Sequence, residues 1–307
     1  MSGGAHVSGF VSLIGLPNTG KSTLLNALVG GKVAIVADKP QTTRTTVQGV
    51  LTQPGAQVVF LDTPGIHKAD SILNRRMMRE VRGALDGRDV LLFVADATAD
   101  LTARGRQALD VLQHTEAPVI LVLNKIDLLK DKSRLLPLIA RYNELRAFAA
   151  CVPVSALKST GLDPLRKEII GRLPEGPRYF PEDHITDQPA RFLAAELIRE
   201  KIIRATRQEV PHSAAVMIDL WEEKPRLTRI LATIYVEREG QKAIVIGAKG
   251  SVLKQVGALA RLEMERLFGV KIFLEMQVKV EPGWRGKSAF LDALDWRTMA
   301  GTDESET

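Results

Sequence analysis

The residues able to do chemistry fall in short clusters, each set directly after an apolar run. Gly15-Leu16-Pro17-Asn18-Thr19-Gly20-Lys21-Ser22 follows Phe10–Ile14. Its spacing, G-x-x-x-x-G-K-S, lets the backbone N–H groups of a glycine-rich turn wrap phosphates while Lys21 neutralises them. Alone, this segment implies only a nucleoside triphosphate. Asn124-Lys125-Ile126-Asp127 follows Val119–Leu123 and adds the choice of base. A carboxylate at Asp127 can accept two hydrogen bonds from guanine, which offers N1–H and a 2-amino group. Adenine offers neither and would leave the carboxylate unpaired. Together the two clusters point to GTP and GDP as ligands.

Asp62-Thr63-Pro64-Gly65 closes the run Gln57–Leu61. A carboxylate there can hold Mg²⁺ through water, and the Gly65 N–H can meet a γ-phosphate. Ser22, the hydroxyl that ends the phosphate loop, is expected to ligate the same ion directly. Between them lies the polar stretch Gln41-Thr42-Thr43-Arg44, where a threonine hydroxyl can reach Mg²⁺ in the triphosphate state only, which makes the stretch a switch. Residue type leaves Thr42 and Thr43 both open. Ser155-Ala156-Leu157 follows Cys151–Val154 and looks like the short backbone contact that GTPases make to guanine O6; by itself it reads equally well as a helix cap. Ile66 stands directly after Gly65, where Ras-like enzymes carry the glutamine that orients the attacking water. An aliphatic side chain cannot hydrogen-bond, so slow intrinsic hydrolysis is expected.

These clusters need a frame. Up to about residue 172, strand-like runs (Phe10–Ile14, Thr46–Thr52, Gln57–Leu61, Val90–Ala95, Val119–Leu123, Cys151–Val154) alternate with helix-like stretches (Lys21–Val29, Ile72–Leu85, Ala103–His114, Ser133–Leu145, Leu162–Arg172). That alternation predicts an α/β fold, a doubly wound, mostly parallel sheet with ligand loops at the strand carboxyl ends. Residues 174–189, with Pro174, Pro177, Pro181 and Pro189, read as a linker. Beyond it come a helix (Ala190–Arg207), two strands (Ala214–Trp221, Arg229–Arg238), a turn, a helix (Ser251–Phe268) and a strand (Lys271–Val280), an α+β unit.

Composition sets bounds. The chain has 307 residues, 45% hydrophobic and 25% charged, enough for about two domains. Its lone cysteine, Cys151, excludes an intramolecular disulfide and reads as a small buried thiol in a strand. The five histidines lack metal-ligand spacing. No apolar run approaches the roughly 18 residues that span a bilayer, so a cytoplasmic protein is expected. Net charge is +6, and the basic excess is denser in residues 189–282, with 16 Lys and Arg against 12 Asp and Glu. Such a balance permits polyanion binding.

A candidate for that polyanion site is Ile246-Gly247-Ala248-Lys249-Gly250-Ser251, with Lys254 one turn on. A Gly-x-x-Gly turn lets a sugar–phosphate backbone approach closely, the following helix amino terminus adds a positive dipole, and Lys249 and Lys254 add charge. Ile244, Ile246, Val252 and Leu253 are expected to floor a groove for unstacked bases. Helix, strand, strand, Gly-x-x-Gly, helix, strand is the order of a type II KH domain, which favours RNA. Arg199, Lys201, Arg204 and Arg207 read as a solvated helix face, with Glu200–Arg204 as an ordinary i,i+4 pair. Trp221 and Trp284 read as packing residues.

The phosphate loop with Asn18, the Gln-Thr-Thr-Arg switch and Ile66 resembles the potassium-activated GTPases of the Era and MnmE group. From about residue 8 to 296 the chain resembles the Era family, including Ala195-Glu196-Leu197-Ile198-Arg199-Glu200-Lys201-Ile202, Gly240–Gly247 and the Lys279-Val280 to Gly283-Trp284 exit. Pro211-His212-Ser213 departs from it, since the family commonly has an aromatic after the proline. The resemblance implies a GTPase domain over residues 1–173, a linker over 174–189, a type II KH domain over 190–282 and a tail over 283–307. It implies Thr43 as the Mg²⁺ ligand beside Ser22 and Asp62, and K⁺ held by Asn18 against the phosphates, so that Lys21, Asn18 and Thr43 carry the catalysis. It further implies binding to the 3′ end of 16S ribosomal RNA during 30S subunit maturation, action as a monomer, and peripheral association with the inner membrane. A competing expectation is an RNA-binding scaffold with a regulatory GTP site that barely turns over.

Overall fold

Unbroken apolar runs build the sheet that carries the clusters. The computed structural model describes residues 6–206, 210–295 and 297; Arg207 lies outside them. Six strands, β1 (Val7–Ile14), β2 (Val47–Gln53), β3 (Ala56–Asp62), β4 (Val90–Asp96), β5 (Val119–Asn124) and β6 (Ala150–Pro153), form one sheet in the order β2-β3-β1-β4-β5-β6. All neighbours are parallel except β2, which runs antiparallel to β3 at the edge.

Within β4, Leu92 and Val94 point to one face and Leu91, Phe93 and Ala95 to the other. The first face packs on α1 (Lys21–Val29) and α5 (Leu162–Ile170) through Leu24, Leu28, Leu165 and Ile169. The second packs on α3 (Ala103–Asp110) and α4 (Leu135–Asn143) through Ala108, Leu109, Leu138 and Tyr142. A sheet buried on both faces needs apolar residues at every position, which is why these strands read as continuous runs. Helix α2 (Ile72–Gly83) supplies Met78 and Val81 to a smaller cluster with Ile14.

Contacts divide the chain into two compact units. The first takes residues up to Ala34, Thr43–Ala69 and Arg76–Asp187; the second takes Ile35–Thr42, Asp70–Arg75 and the residues from Gln188 onward. This division differs from the expected boundary at residue 173 in two ways. Residues 174–187 of the proline-rich segment belong to the first unit, where they lie as a strap. The buried Gln57 accepts from the Tyr179 and Phe180 amides (2.7 and 3.0 Å) and donates to the Phe180 carbonyl (2.9 Å), while Val50 N–H donates to the Ile185 carbonyl (2.8 Å). Prolines favour an extended segment, and Gln57 supplies polar partners that composition does not reveal. The second difference is that residues 35–42, ahead of Thr43, fall in the second unit.

That unit contains α6 (Ala190–Ala205), α7 (Val210–Ser213), β7 (Ala215–Lys224), β8 (Leu227–Val236), α8 (Glu239–Ile246), α9 (Ser251–Phe268) and β9 (Lys271–Val280). Strands β7 and β8 are antiparallel, β8 and β9 parallel. Ile198 and Ile202 of α6, Ile230 and Ile234 of β8, and Val256, Ala260 and Met264 of α9 meet in its core. Helix α8 replaces the expected turn: eight residues with Gly240 near the start are too short for a periodic signal, and only Val245 is buried. The expected groove floor changes with it, since Ile244 is 48% exposed.

Residues 239–268 are apolar enough to pass a length-and-composition test for a membrane span. The turn at Gly247–Gly250 breaks the stretch, because Lys249 (φ 51°) is left-handed. Within the expected tail, Ser288–Ala293 forms α10, and Trp284 is fully buried, its indole N–H donating to the Ser213 carbonyl (2.9 Å). Trp221 packs edge-on against Phe268 (5.8 Å). Cys151 is half-buried rather than buried, and burial pushes its thiol pKa up.

Candidate functional site

Parallel pairing brings the carboxyl ends of five strands to one edge of the sheet, and each end opens into one of the chemical clusters. Gly15–Ser22 follows β1, Asp62–Ile66 ends and follows β3, Asp96 ends β4, Asn124–Asp127 ends and follows β5, and Ser155–Leu157 comes just beyond β6. Register aligns them: Leu13 pairs with Asp62, and Asp96 with Asn124.

The phosphate loop turns tightly enough to demand glycine. A Cβ at Gly15 (φ 153°) would lie 2.3 Å from the Val94 carbonyl oxygen, and one at Gly20 (φ 90°) 2.3 Å from Asn124 Nδ2. Asn18 is exposed with a left-handed backbone (φ 63°), and Pro17 and Leu16 form the outer wall of the turn. Lys21 is buried and donates to the carbonyls of Leu16 (2.9 Å) and Gly15 (3.2 Å), holding its ammonium inside the loop. Thr19 donates to the Leu16 carbonyl (3.0 Å).

Three oxygens converge beside it. Ser22 Oγ lies 2.5 Å from Asp62 Oδ2 and 2.8 Å from Thr43 Oγ1, and Thr43 Oγ1 lies 3.4 Å from the same carboxylate oxygen. Asp62 Oδ1 is buried and has no hydrogen-bond partner. A buried carboxylate with one oxygen orphaned, flanked by two hydroxyls, fits a hard divalent cation that keeps waters and phosphate oxygens as its other ligands. Thr42 is elsewhere: its hydroxyl donates to the Lys39 carbonyl (2.6 Å). Of the two threonines, Thr43 is the one at the cation position. Thr63 donates to the Leu13 carbonyl (2.7 Å), locking β3 against β1, and Pro64 and Gly65 are buried with it. Ile66 donates its amide to the Gly15 carbonyl (3.0 Å), and its side chain packs against the apolar clusters, so an aliphatic residue there has a packing role.

Burial dominates the titration of this pair. It pulls the Lys21 pKa down to about 8 against the opposing pull of Asp62, and it pushes Asp62 up to about 6 against Lys21, Ser22 and Thr43. The sign for the nucleotide-free protein follows. A carboxyl with a folded pKa near 6 and an unfolded one near 3.8 contributes stability below 3.8 that is lost as pH rises through 6. Urea unfolding of wild type and Asp62→Asn between pH 4 and pH 7 should therefore show wild type losing stability relative to the variant with rising pH. A pH-independent difference would remove the buried-carboxylate account.

The base-selecting loops are tied together by Asn124. Its buried amide donates to the Thr19 carbonyl (2.9 Å) and accepts from the Lys125 and Ala156 amides (2.8 and 3.0 Å). Asn124 thus fastens three loops to one another. Within the segment expected to contact guanine O6, Ser155-Ala156-Leu157, the Ala156 N–H is engaged by Asn124 in this structure. Lys125 (φ 69°) donates to Asp96 (2.6 Å). Burial acts to raise the Asp96 pKa, but hydrogen bonds from Lys125 and Thr98 outweigh it and hold the carboxyl low. Asp96 escaped the sequence reading, although it ends an apolar run as Asp62 and Asn124 do. Asp127 is exposed and accepts from the buried Ser155 hydroxyl (2.6 Å), which also accepts from Lys158 N–H; Ile126 is buried beneath it and Leu157 is exposed. Ser155 is therefore both a cap and the group that orients Asp127.

In the second unit, Gly247 (φ 72°), Lys249 (φ 51°) and Gly250 (φ 77°) form the turn before α9. Ala248, Lys249, Ser251 and Lys254 are exposed, and Ile246 packs against the core. The turn presents backbone and two ammonium groups at a helix amino terminus.

Comparison with known proteins agrees with this geometry. The family described as "50S ribosome-binding GTPase" matches residues 10–125 and the KH domain family matches residues 209–285. The GTPase Era of Geobacter metallireducens is 47% identical over 298 residues, covering 96% of this chain and all of the relative. That of Xanthomonas oryzae pv. oryzae is 49% identical over 292 residues, covering 95% and 97%. A variant of Era from Aquifex aeolicus, solved with GDP and tetrafluoroaluminate, superposes with a TM-score of 0.91 at 42% identity, covering 94% of this chain and 99% of that one. Era in complex with MgGDPNP and nucleotides 1506–1542 of 16S ribosomal RNA superposes with a TM-score of 0.92 at 42% identity, covering 95% and 99%. With both domains and nearly the full length shared, the chain belongs to the Era family of KH-domain GTPases.

Proposed function

We propose that the protein is a GTP-hydrolysing switch that binds the 3′ end of small-subunit ribosomal RNA and assists 30S subunit maturation. The observation that carries the reading is the meeting of Lys21, Ser22, Thr43 and Asp62 at the strand ends, on a chain whose KH unit keeps an exposed Gly-x-x-Gly turn. A 42%-identical relative binds MgGDPNP and 16S RNA together, which favours the small subunit over the 50S particle in the broader family description.

The division of labour follows from the residues. Lys21 and the loop amides hold phosphate charge, Asp127 selects guanine, and Ser22, Thr43 and Asp62 are the residues that would hold Mg²⁺, which screens the phosphate charge when bound. Thr43 is useful only while a γ-phosphate is present, so the segment before it reports the nucleotide state. Ile66 leaves no side chain to orient water, which supports slow intrinsic turnover and a scaffold-like second reading. Single-turnover hydrolysis with and without 16S 3′-end RNA separates the two: no RNA-stimulated turnover would favour the scaffold. We assign the protein to the cytoplasm; a peripheral membrane site rests on the family resemblance alone.

For K⁺, the support is the exposed, left-handed Asn18 within the phosphate loop. Turnover is expected to be several-fold faster in K⁺ than in Na⁺ at equal ionic strength, and Asn18→Ala is expected to erase the difference. Ionic strength is matched because screening alone alters phosphate electrostatics. Equal wild-type rates in the two salts would reject potassium and leave the GTPase standing.

A further inference from the structure

Ile66 stands where a side chain would orient the attacking water, and the next residue, His67, carries a group able to do so. Residues 65 and 66 are laid directly on the phosphate loop. Ile66 N–H donates to the Gly15 carbonyl (3.0 Å), and Gly65 packs so closely that a Cβ there would lie 2.7 Å from both the backbone nitrogen and the Cα of Pro17. The half-buried His67 turns its ring back toward this contact, with Nδ1 2.5 Å from the Gly65 carbonyl oxygen. A carbonyl only accepts, so Nδ1 carries the proton, and in the neutral ring Nε2 carries a lone pair.

Between Asp62 and His67 the side-chain nitrogens and oxygens divide into two sets. Thr63 Oγ1 is spent on the Leu13 carbonyl, Asp62 Oδ2 on Ser22 and Thr43, and His67 Nδ1 on Gly65. Asp62 Oδ1 and His67 Nε2 are buried and have no hydrogen-bond partner. An unpaired buried acceptor costs stability, so one kept at a ligand site calls for a use. The cation position accounts for Asp62 Oδ1. His67 Nε2 belongs to a ring fastened to Gly65, the residue whose N–H is expected to meet the γ-phosphate. Other polar side chains beside it are engaged: Lys21 and Thr19 bond carbonyls of the loop, and Thr43 bonds Ser22.

We propose that His67 is a catalytic residue of the hydrolysis step: Nε2 accepts a hydrogen bond from the attacking water and turns a water lone pair toward the γ-phosphorus, while the bond from Nδ1 to the Gly65 carbonyl fixes the ring. This deepens the GTP-hydrolysing reading and rests on it. The water oxygen bonds to phosphorus as the bond from phosphorus to the β–γ bridging oxygen breaks, and that oxygen leaves on GDP with the electron pair. One water proton passes to a γ-phosphate oxygen; the other, held by Nε2, stays on the new hydroxyl. The GTP tetra-anion and water thus give the GDP tri-anion and the dihydrogen phosphate mono-anion, with the imidazole neutral throughout.

The test uses the full chain with His67→Asn, His67→Gln and His67→Ala. Asparagine puts its amide nitrogen where Nδ1 lies and can keep the bond to the Gly65 carbonyl, but it has nothing at the Nε2 position. Glutamine reaches that position with an acceptor. Two quantities are read: the single-turnover rate constant for GTP hydrolysis at saturating protein, and the affinities for fluorescent GDP and a non-hydrolysable GTP analogue. His67→Asn and His67→Ala should hydrolyse roughly tenfold more slowly, as losing one hydrogen bond in the transition state does, with both affinities within about twofold of wild type. His67→Gln should stay within about threefold of the wild-type rate. A ring that merely tied the loop would give the reverse order, with His67→Asn fast and His67→Gln slow. That order, equal rates in the two amide variants, a wild-type rate in His67→Ala, or rate losses that only follow losses of analogue affinity would overturn the proposal. If His67→Ala does not fold, the two amide variants decide. A wild type that bound guanine nucleotides without hydrolysing GTP would instead overturn the hydrolysing switch beneath the proposal.

Discussion

Asp127→Asn is expected to turn the nucleotide preference from GTP to xanthosine triphosphate. In the wild type the carboxylate offers two acceptors to guanine N1–H and the 2-amino group. The Ser155 hydroxyl donates to Asp127 at 2.6 Å, so in the variant it sorts the new amide, keeping the carbonyl oxygen on Ser155. The NH₂ group then faces the ligand. It repels the guanine 2-amino group and donates to the 2-carbonyl of xanthine. Losing one charge-assisted hydrogen bond and leaving a donor unpaired should cost roughly a hundredfold in GTP affinity. Competition binding with GTP, ATP and XTP reads the result; an unchanged GTP preference would sink the role of Asp127. Ser155→Ala should blur the preference without reversing it.

The second large effect is expected at the KH turn. Gly250→Asp places a carboxylate where RNA phosphate would approach the α9 amino terminus. A Cβ there meets nothing within 4 Å, and its left-handed backbone (φ 77°) is one that Asp adopts more readily than most residues. Gly247 is a poor substitute for this test, because a Cβ there would lie 2.5 Å from the Val252 side chain and 2.9 Å from its backbone nitrogen. Affinity for a 3′-terminal 16S RNA oligonucleotide should fall tenfold or more, roughly, with the loss growing at low salt, where phosphate electrostatics are strongest. Guanine nucleotide binding should persist, since Gly15–Ser22 and Asn124–Asp127 rest on the separate core of the first unit. RNA-stimulated hydrolysis should vanish with RNA affinity. If the folded variant bound RNA normally, the turn would be no more than a helix start.

The clusters themselves were legible because each is local. A phosphate loop needs its glycines and lysine within eight consecutive residues, and a buried parallel strand announces itself as an unbroken apolar run just before the loop it presents. The same locality made α9 and β9 readable to the residue, since both carry periodic patterns ended by glycine or charge. Legibility stopped where a residue's partner lies far along the chain. Thr42 and Thr43 are identical in type, and only the fold decides which hydroxyl meets Ser22 and Asp62. Asn124 looked like a ligand-facing residue, yet its amide is spent tying Thr19 to Ala156, loops that come from different strands. Most plainly, the charges of α6 follow a pattern that suits a solvated helix, and no local signal marks Glu200 as buried. What buries it is Val36, 164 residues earlier, together with Lys201 and Glu263. A charge is tolerated inside a protein when partners gathered from distant segments replace its water, and that gathering is a property of the tertiary structure alone.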